Sequence, residues 1–180
     1  MPEYRRPWTL GGTFFFTVNL WQREGNTLLV DHIDLLRDSV RAVKNNHPFT
    51  IHGWVVLPEH MHCLFSLAEN EADFALRWRL IKGEFSQRLP HTPNHEFRSA
   101  SRQKRGERGI WQRRYFEHRI RNQNDFNAHM DYIHINPLKH GLVSRVQDWP
   151  FSTFHRLVDK GVYSLGWAGG SLADSLEYED

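Results

Sequence analysis

The spacing of apolar and polar residues changes period several times along the chain, and each change marks an element. Residues 13–20 alternate, with Phe14, Phe16, Val18 and Leu20 on one side and Thr13, Thr17 and Asn19 on the other. This predicts a half-buried strand. From Asp31 to about Asn46 the residues Ile33, Leu36, Val40 and Val43 recur at three- and four-residue steps, as on an amphipathic helix, and Pro48 stops it. Residues 49–57 and 60–67 read as two strands. Only Pro58-Glu59 separates them, so they form a hairpin. Asn70 or Asp73 caps a second helix with a buried stripe of Phe74, Trp78, Ile81 and Phe85, ending near Leu89-Pro90. Residues 90–110 are polar and basic, which predicts a mobile loop. Residues 111–120 make a fourth strand. Asn122 or Asn124 caps a third helix over 125–136 with the stripe Phe126, Met130, Ile133, and Pro137 marks its end. The run Trp149-Pro150-Phe151-Ser152-Thr153 is a turn into a short helix.

The order β-α-β-β-α-β-α is that of an α+β, ferredoxin-like βαββαβ antiparallel sheet with an added C-terminal helix. Strands one and three then lie at the centre, the two sequence-paired helices cover one face, and the other face is free of them. Strand 60–67 points Met61, Cys63, Phe65 and Leu67 to one side. His60, His62, Leu64 and Ser66 point to the other, the face without those helices.

Composition adds limits. The chain has 180 residues, 39% hydrophobic and 13% aromatic, enough for one cored domain. The net charge of +2 does not by itself require a nucleic-acid partner, so the placement of charge matters more. The single cysteine, Cys63, cannot form an internal disulfide and suits a reducing compartment. No run is long enough to cross a membrane, and no signal-peptide stretch follows the N-terminus, so the expected location is cytoplasmic.

Two histidines side by side on one strand face make half of a metal site. The third helix carries Asp131-Tyr132-Ile133-His134-Ile135-Asn136-Pro137. At about 100° per residue, Tyr132 and Asn136 share one side, flanking the apolar stripe. A phenol is a sound nucleophile for phosphodiesters when a Lewis acid polarises the phosphate. His129 and His140 stay open as alternatives to Asn136 for the third ligand, and Tyr115, in a basic strand, is the rival nucleophile. His118 and His134 have no assigned role.

His60-Met61-His62 resembles the His-hydrophobe-His motif of the single-tyrosine HUH transposases, and Tyr132 with Asn136 resembles their nucleophile helix. Three longer stretches are similar to the subgroup of REP-associated tyrosine transposases: residues 55–62, residues 131–141, and Asp148-Trp149-Pro150-Phe151-Ser152-Thr153. The likeness runs from Tyr4 to about residue 168. Residues 90–110 match none of its patterns and read as an insertion.

The resemblance implies cleavage and transfer of single-stranded DNA at repetitive extragenic palindromes (REP), short hairpins with a flanking tetranucleotide. In that scheme Tyr132 becomes joined to a 5′ phosphate, and His60, His62 and Asn136 hold Mg²⁺ or Mn²⁺. Imidazole ligands make Mn²⁺ the more comfortable guest. It also divides the chain into a basic arm 1–12, a catalytic domain 13–160 and an acidic tail 161–180. Expected DNA contacts are Arg5, Arg6 and Trp8 in the arm, Arg98, Arg102, Lys104 and Arg105 in the 90–110 stretch, and Arg113, Arg114, Lys139 and His140. Trp78, Trp111 and Trp149 read as packing residues. Two rival functions remain, a catalytically silent hairpin-binding regulator and a water-using metal nuclease. Monomer and dimer are both open.

Overall fold

The computed structural model describes residues 9–170. The arm residues Arg5, Arg6 and Trp8, and the acidic residues Asp174, Glu177, Glu179 and Asp180, lie outside them. Four antiparallel strands, β1 (Thr13–Asn19), β2 (Phe49–Val56), β3 (His60–Leu67) and β4 (Phe116–Arg119), pair in the order β2-β3-β1-β4. This is the ferredoxin-like arrangement, with β1 and β3 central. Helices α1 (Leu28–Asp31) and α2 (Ile33–Asn46) follow β1, and α3 (Phe74–Arg88) follows β3. The short α4 (Ala100–Lys104) precedes β4, and α5 (Gln123–Lys139) and α6 (Phe154–Asp159) complete the chain.

The strand alternation sorts side chains between two cores. Phe14, Phe16 and Val18 of β1 and Met61, Cys63 and Phe65 of β3 meet Leu36 and Val43 of α2 and Phe74, Trp78, Ile81 and Phe85 of α3. Asp73 caps α3, its carboxylate accepting from Leu76 N at 2.8 Å. The opposite face is covered by α5. There Phe15, Val55 and Leu64 pack against Met130, Tyr132 and Ile133. The strand β1 is therefore buried on both faces, not on one as its Thr and Asn positions predict. A helix from beyond the βαββαβ unit supplies the second cover. Gly53, at a register shift in β2, lets α5 sit close, since a Cβ there would stand 2.7 Å from Met130 Sδ.

Three elements differ from the sequence expectations. Helix α5 does not end at Pro137 but continues to Lys139. Pro137 sits in the last turn, where its missing N–H costs one bond close to a helix end. Gly141, in the left-handed region at φ 66°, closes that end, its N–H donating to Leu138 O. The fourth strand is only Phe116–Arg119, with Trp111 joined to Leu20 by an isolated bridge.

Residues 90–110 hold more regular structure than a polar loop, namely a 3-10 turn at Pro93–His95 and α4. Arg108 anchors this segment by donating to Ser86 O, Leu89 O and Pro90 O at the end of α3 and to Glu96 Oε1. Burial pushes the Glu96 carboxyl up, but the bonds from Arg108 and Arg98 outweigh it and hold it at about 2. Gly109 lies back against Phe97. Its φ is 76°, and a Cβ there would stand 1.8 Å from the Phe97 carbonyl oxygen.

Candidate active site

The register of β1 on β3 sets Thr17 opposite His62 and Asn19 opposite His60. All four therefore stand on the face that α5 covers. His62 Nδ1 is hydrogen-bonded to Thr17 Oγ1 at 2.9 Å, and His60 Nδ1 donates to Glu59 Oε1 at 2.9 Å. Arg23 donates to the same Glu59 oxygen at 3.2 Å. Burial raises the Glu59 carboxyl. The hydrogen bond and charge of His60, with Arg23, outweigh that and bring it to about 2. Glu59 thus stays a carboxylate that accepts from Nδ1, which puts the lone pair of His60 on Nε2.

Above the strand, residues 132, 136 and 140 recur at one-turn steps along α5 and past its end. The Tyr132 ring lies 5.3 Å from the His62 ring, and the His140 ring 5.2 Å from the His60 ring. Asn136 lies midway between them along α5 and is buried. Both side-chain atoms of Asn136, His60 Nε2 and Asn19 Oδ1 are buried and lack a hydrogen-bond partner. Buried polar atoms left without a partner are costly, and an ion or a water is one way such atoms are satisfied. Imidazole nitrogen and amide oxygen are ligands for a divalent cation of the Mn²⁺ or Mg²⁺ kind, so the residues present fit one.

The histidines left open in the sequence part here. His140 belongs to the site. His129 does not: its Nδ1 donates to Asp125 O at 2.7 Å, and it stacks on His118 with centroids 4.6 Å apart. His118, Asp125 and His129 bring their ligand-type atoms within 4.8 Å of one another. His118 Nε2 donates to Asp125 at 3.0 Å, and Arg121 donates from both its backbone and its side chain. These bonds outweigh the upward push of burial and hold Asp125 at about 2. His134 is a third case, buried between Met130 O and the Thr153 hydroxyl. Burial lowers it to about 4.

Tyr115, the rival nucleophile, packs beside Phe16 and Trp78 on the α2/α3 side of the sheet, away from His60 and His62. The Lys139 ammonium lies 5.3 Å from the Tyr132 ring centre. Of the basic residues in 98–114, Arg102 is buried and donates to Trp111 O, which takes it off the surface. Arg98 pairs with Glu96 and Arg113 with Glu107, while Lys104, Arg105 and Arg114 are exposed. Trp78, Trp111 and Trp149 are buried, and Trp149 Nε1 donates to Val56 O. Among the described residues no helix is long and apolar enough to cross a membrane.

Comparison with known proteins bears on the same residues. The family model described as "Transposase IS200 like" matches residues 17–136, a span running from Thr17 to Asn136. A REP-associated tyrosine transposase of Escherichia coli (strain K12) is 48% identical over 169 residues, covering 94% of this chain and 92% of the relative. The chain belongs to the REP-associated tyrosine transposases. A relative of this transposase in Haemophilus influenzae, named for the same family, is 41% identical over 169 residues, 94% of each chain. A solved structure of a REP-associated tyrosine transposase bound to a REP hairpin superposes on this transposase with a TM-score of 0.79. It shares 48% identity and covers 94% of this chain and 93% of its own.

Sequence reasoning missed Glu59, Thr17, Asn19 and Arg23. Glu59 had a local signal, since it directly precedes His60. The other three depend on strand register or on a loop returning to the hairpin, which spacing does not encode.

Proposed function

We propose that the chain cleaves and rejoins single-stranded DNA beside REP-type hairpins, through a covalent 5′-phosphotyrosine on Tyr132. The observation that carries this reading is the overlap of two rows: His60 and His62 on β3, and Tyr132, Asn136 and His140 on α5, in ring contact at both ends.

The Tyr132 oxygen attacks the scissile phosphorus and the bond to the 3′ oxygen breaks. The phenol loses its proton, and the leaving 3′ oxygen takes one up to become a hydroxyl. The Lys139 ammonium lies over the Tyr132 ring and brings positive charge to the side of the site where the phosphate must come. The Tyr132 ring packs edge-on against the stacked pair of Phe15 and His62, which helps hold its orientation. Attack by a second DNA 3′ hydroxyl on the phosphotyrosine reverses the step and joins new ends. His60, His62 and Asn136 would hold Mg²⁺ or Mn²⁺, which when bound polarises the phosphate and offsets charge on the leaving oxygen. Glu59 and Thr17 orient the two imidazoles. The exposed Arg114, Lys104, Arg105, Lys139 and His140, with Arg98 and Arg113 at the rim, neutralise phosphates of the strand. Arg5, Arg6 and Trp8 of the arm, and a single-strand flank carrying a tetranucleotide, belong to the same reading. The protein acts in the cytoplasm.

The test is incubation with labelled hairpin DNA and Mn²⁺, followed by denaturing electrophoresis. A protein–DNA adduct that disappears in Tyr132→Phe is expected. Cleaved DNA without adduct would replace this reading with a water-using nuclease. Binding without cleavage would leave a hairpin-binding regulator.

A further inference from the structure

Beyond Asn19 the chain leaves the sheet at the end where His60 stands, and there it builds a second surface. Leu20 bridges Trp111, and Trp21 N donates to Ile110 O at 2.8 Å. The Trp21 ring stacks on Phe97 of the 90–110 segment, with centroids 4.6 Å apart and planes 13° from parallel. The Arg102 guanidinium lies 4.9 Å from the Trp21 ring centre and 5.8 Å from that of Phe97. It is fixed there by its bond to Trp111 O at 3.1 Å. Two residues after Trp21, Arg23 grips Glu59, the carboxylate that holds His60. The aromatic pair and the histidine pair therefore occupy the same end of the sheet.

Trp21 is 44% exposed and Phe97 43%. Two large rings held parallel, backed by a cation and left this open to water, form an apolar surface of defined plane rather than a loose contact. Lys104 and Arg105, on and beside α4, are exposed and form no ion pair with the described residues. Exposed aromatic surface and exposed cations on one segment are a combination that receives a single strand, because every base has a π-face and every nucleotide a phosphate.

We propose that Trp21 and Phe97 form a stacking platform for one unpaired DNA base of the strand flanking the hairpin. The inference rests on the DNA-processing reading above and adds to it a contact made by the 90–110 segment. Stacking tolerates any base, so the platform sets affinity for a flank and not its sequence.

The experiment uses the full chain and two oligonucleotides, a blunt hairpin and the same hairpin with a single-stranded flank, placed on each side in turn. Trp21→Leu and Phe97→Leu keep an apolar side chain where the segment docks but remove a ring. Each is expected to weaken binding of the flanked hairpin by about tenfold and of the blunt hairpin by less than about twofold. Trp21→Phe is expected to restore most of the loss. With 5-iododeoxyuridine placed at successive flank positions, irradiation should crosslink one position to Trp21 or Phe97, as read by mass spectrometry. Wild-type affinity for the flanked hairpin in both Leu variants, or crosslinks confined to other residues, would overturn the platform. Equal loss on both oligonucleotides would overturn it as well, because that reports damage to the fold. Adduct formation by the wild type on the same flanked DNA reports separately on the DNA-processing reading. A wild type that binds neither oligonucleotide overturns both.

Discussion

Two clusters on the α5 side of the sheet use nearly the same residue types and behave in opposite ways. In one, His118, Asp125 and His129 saturate each other: the carboxylate takes bonds from His118 and twice from Arg121, and His129 is tied to the helix backbone. In the other, His60 Nε2, the Asn136 carboxamide and Asn19 Oδ1 are buried with no hydrogen-bond partner. A short list of His and Asp positions would rank the first cluster higher as a metal site, since it contains the carboxylate. Its hydrogen bonds say that it clips the start of α5 to β4. The two clusters differ in how far their polar atoms are satisfied within the fold, which residue identity alone does not show.

The sharpest way to break this contrast is at the nucleophile. Tyr132→Phe should abolish the adduct and lower cleavage by about three orders of magnitude or more, with hairpin affinity in a gel shift little changed. Next, His60→Ala should lower Mn²⁺ affinity and cleavage by about a hundredfold, while His118→Ala leaves Mn²⁺ affinity within about twofold. Titration of Mn²⁺ followed by electron paramagnetic resonance reads both. Mn²⁺ binding lost in His118→Ala and kept in His60→Ala would invert the assignment.

His134 provides a pH test of what a satisfied histidine does. Its folded pKa, about 4, lies below the 6.5 of an unfolded histidine. As pH falls below about 6.5, the unfolded chain takes up that proton first, so the His134 contribution to stability should fall between pH 6.5 and 4 and change no further below. The size is at most ~3 kcal/mol. Urea melts at pH 7 and pH 4.5 should show this slope, and His134→Gln should flatten it. Asp125→Ala should cost about 2 kcal/mol at pH 7, measured the same way, with no change in Mn²⁺ affinity. The smallest effect is expected from Glu59→Gln, which keeps the shape and loses the charge that orients His60. A roughly tenfold loss of Mn²⁺ affinity would separate an orienting residue from a bystander.

The readable parts of the molecule were those in which the information is local. Alternation in β1 and β3 assigned Phe14, Phe16, Cys63 and Phe65 to one face, and one-turn steps put Tyr132 and Asn136 on one side of α5. The likeness carried by residues 55–62 and 131–141 relates those two faces without reference to packing. What escaped depends on partners far away in sequence. Thr17 meets His62 only through a register set across 45 residues. Arg102 looks like a surface charge until its bond to Trp111 O and the Trp21 ring bury it. Pro137 looks like a stop, yet packing of Ile135 and Pro137 carries the helix through it.

Gly109 gives the 90–110 segment a single point of failure. Its hydrogen occupies the only room between two passes of backbone, so one added methyl group has nowhere to go but into the Phe97 carbonyl. A Gly109→Ala chain would keep its sheet, its histidines and its tyrosine, and still present a differently folded flap. Such a protein would separate what the sheet contributes from what the flap contributes without deleting a residue.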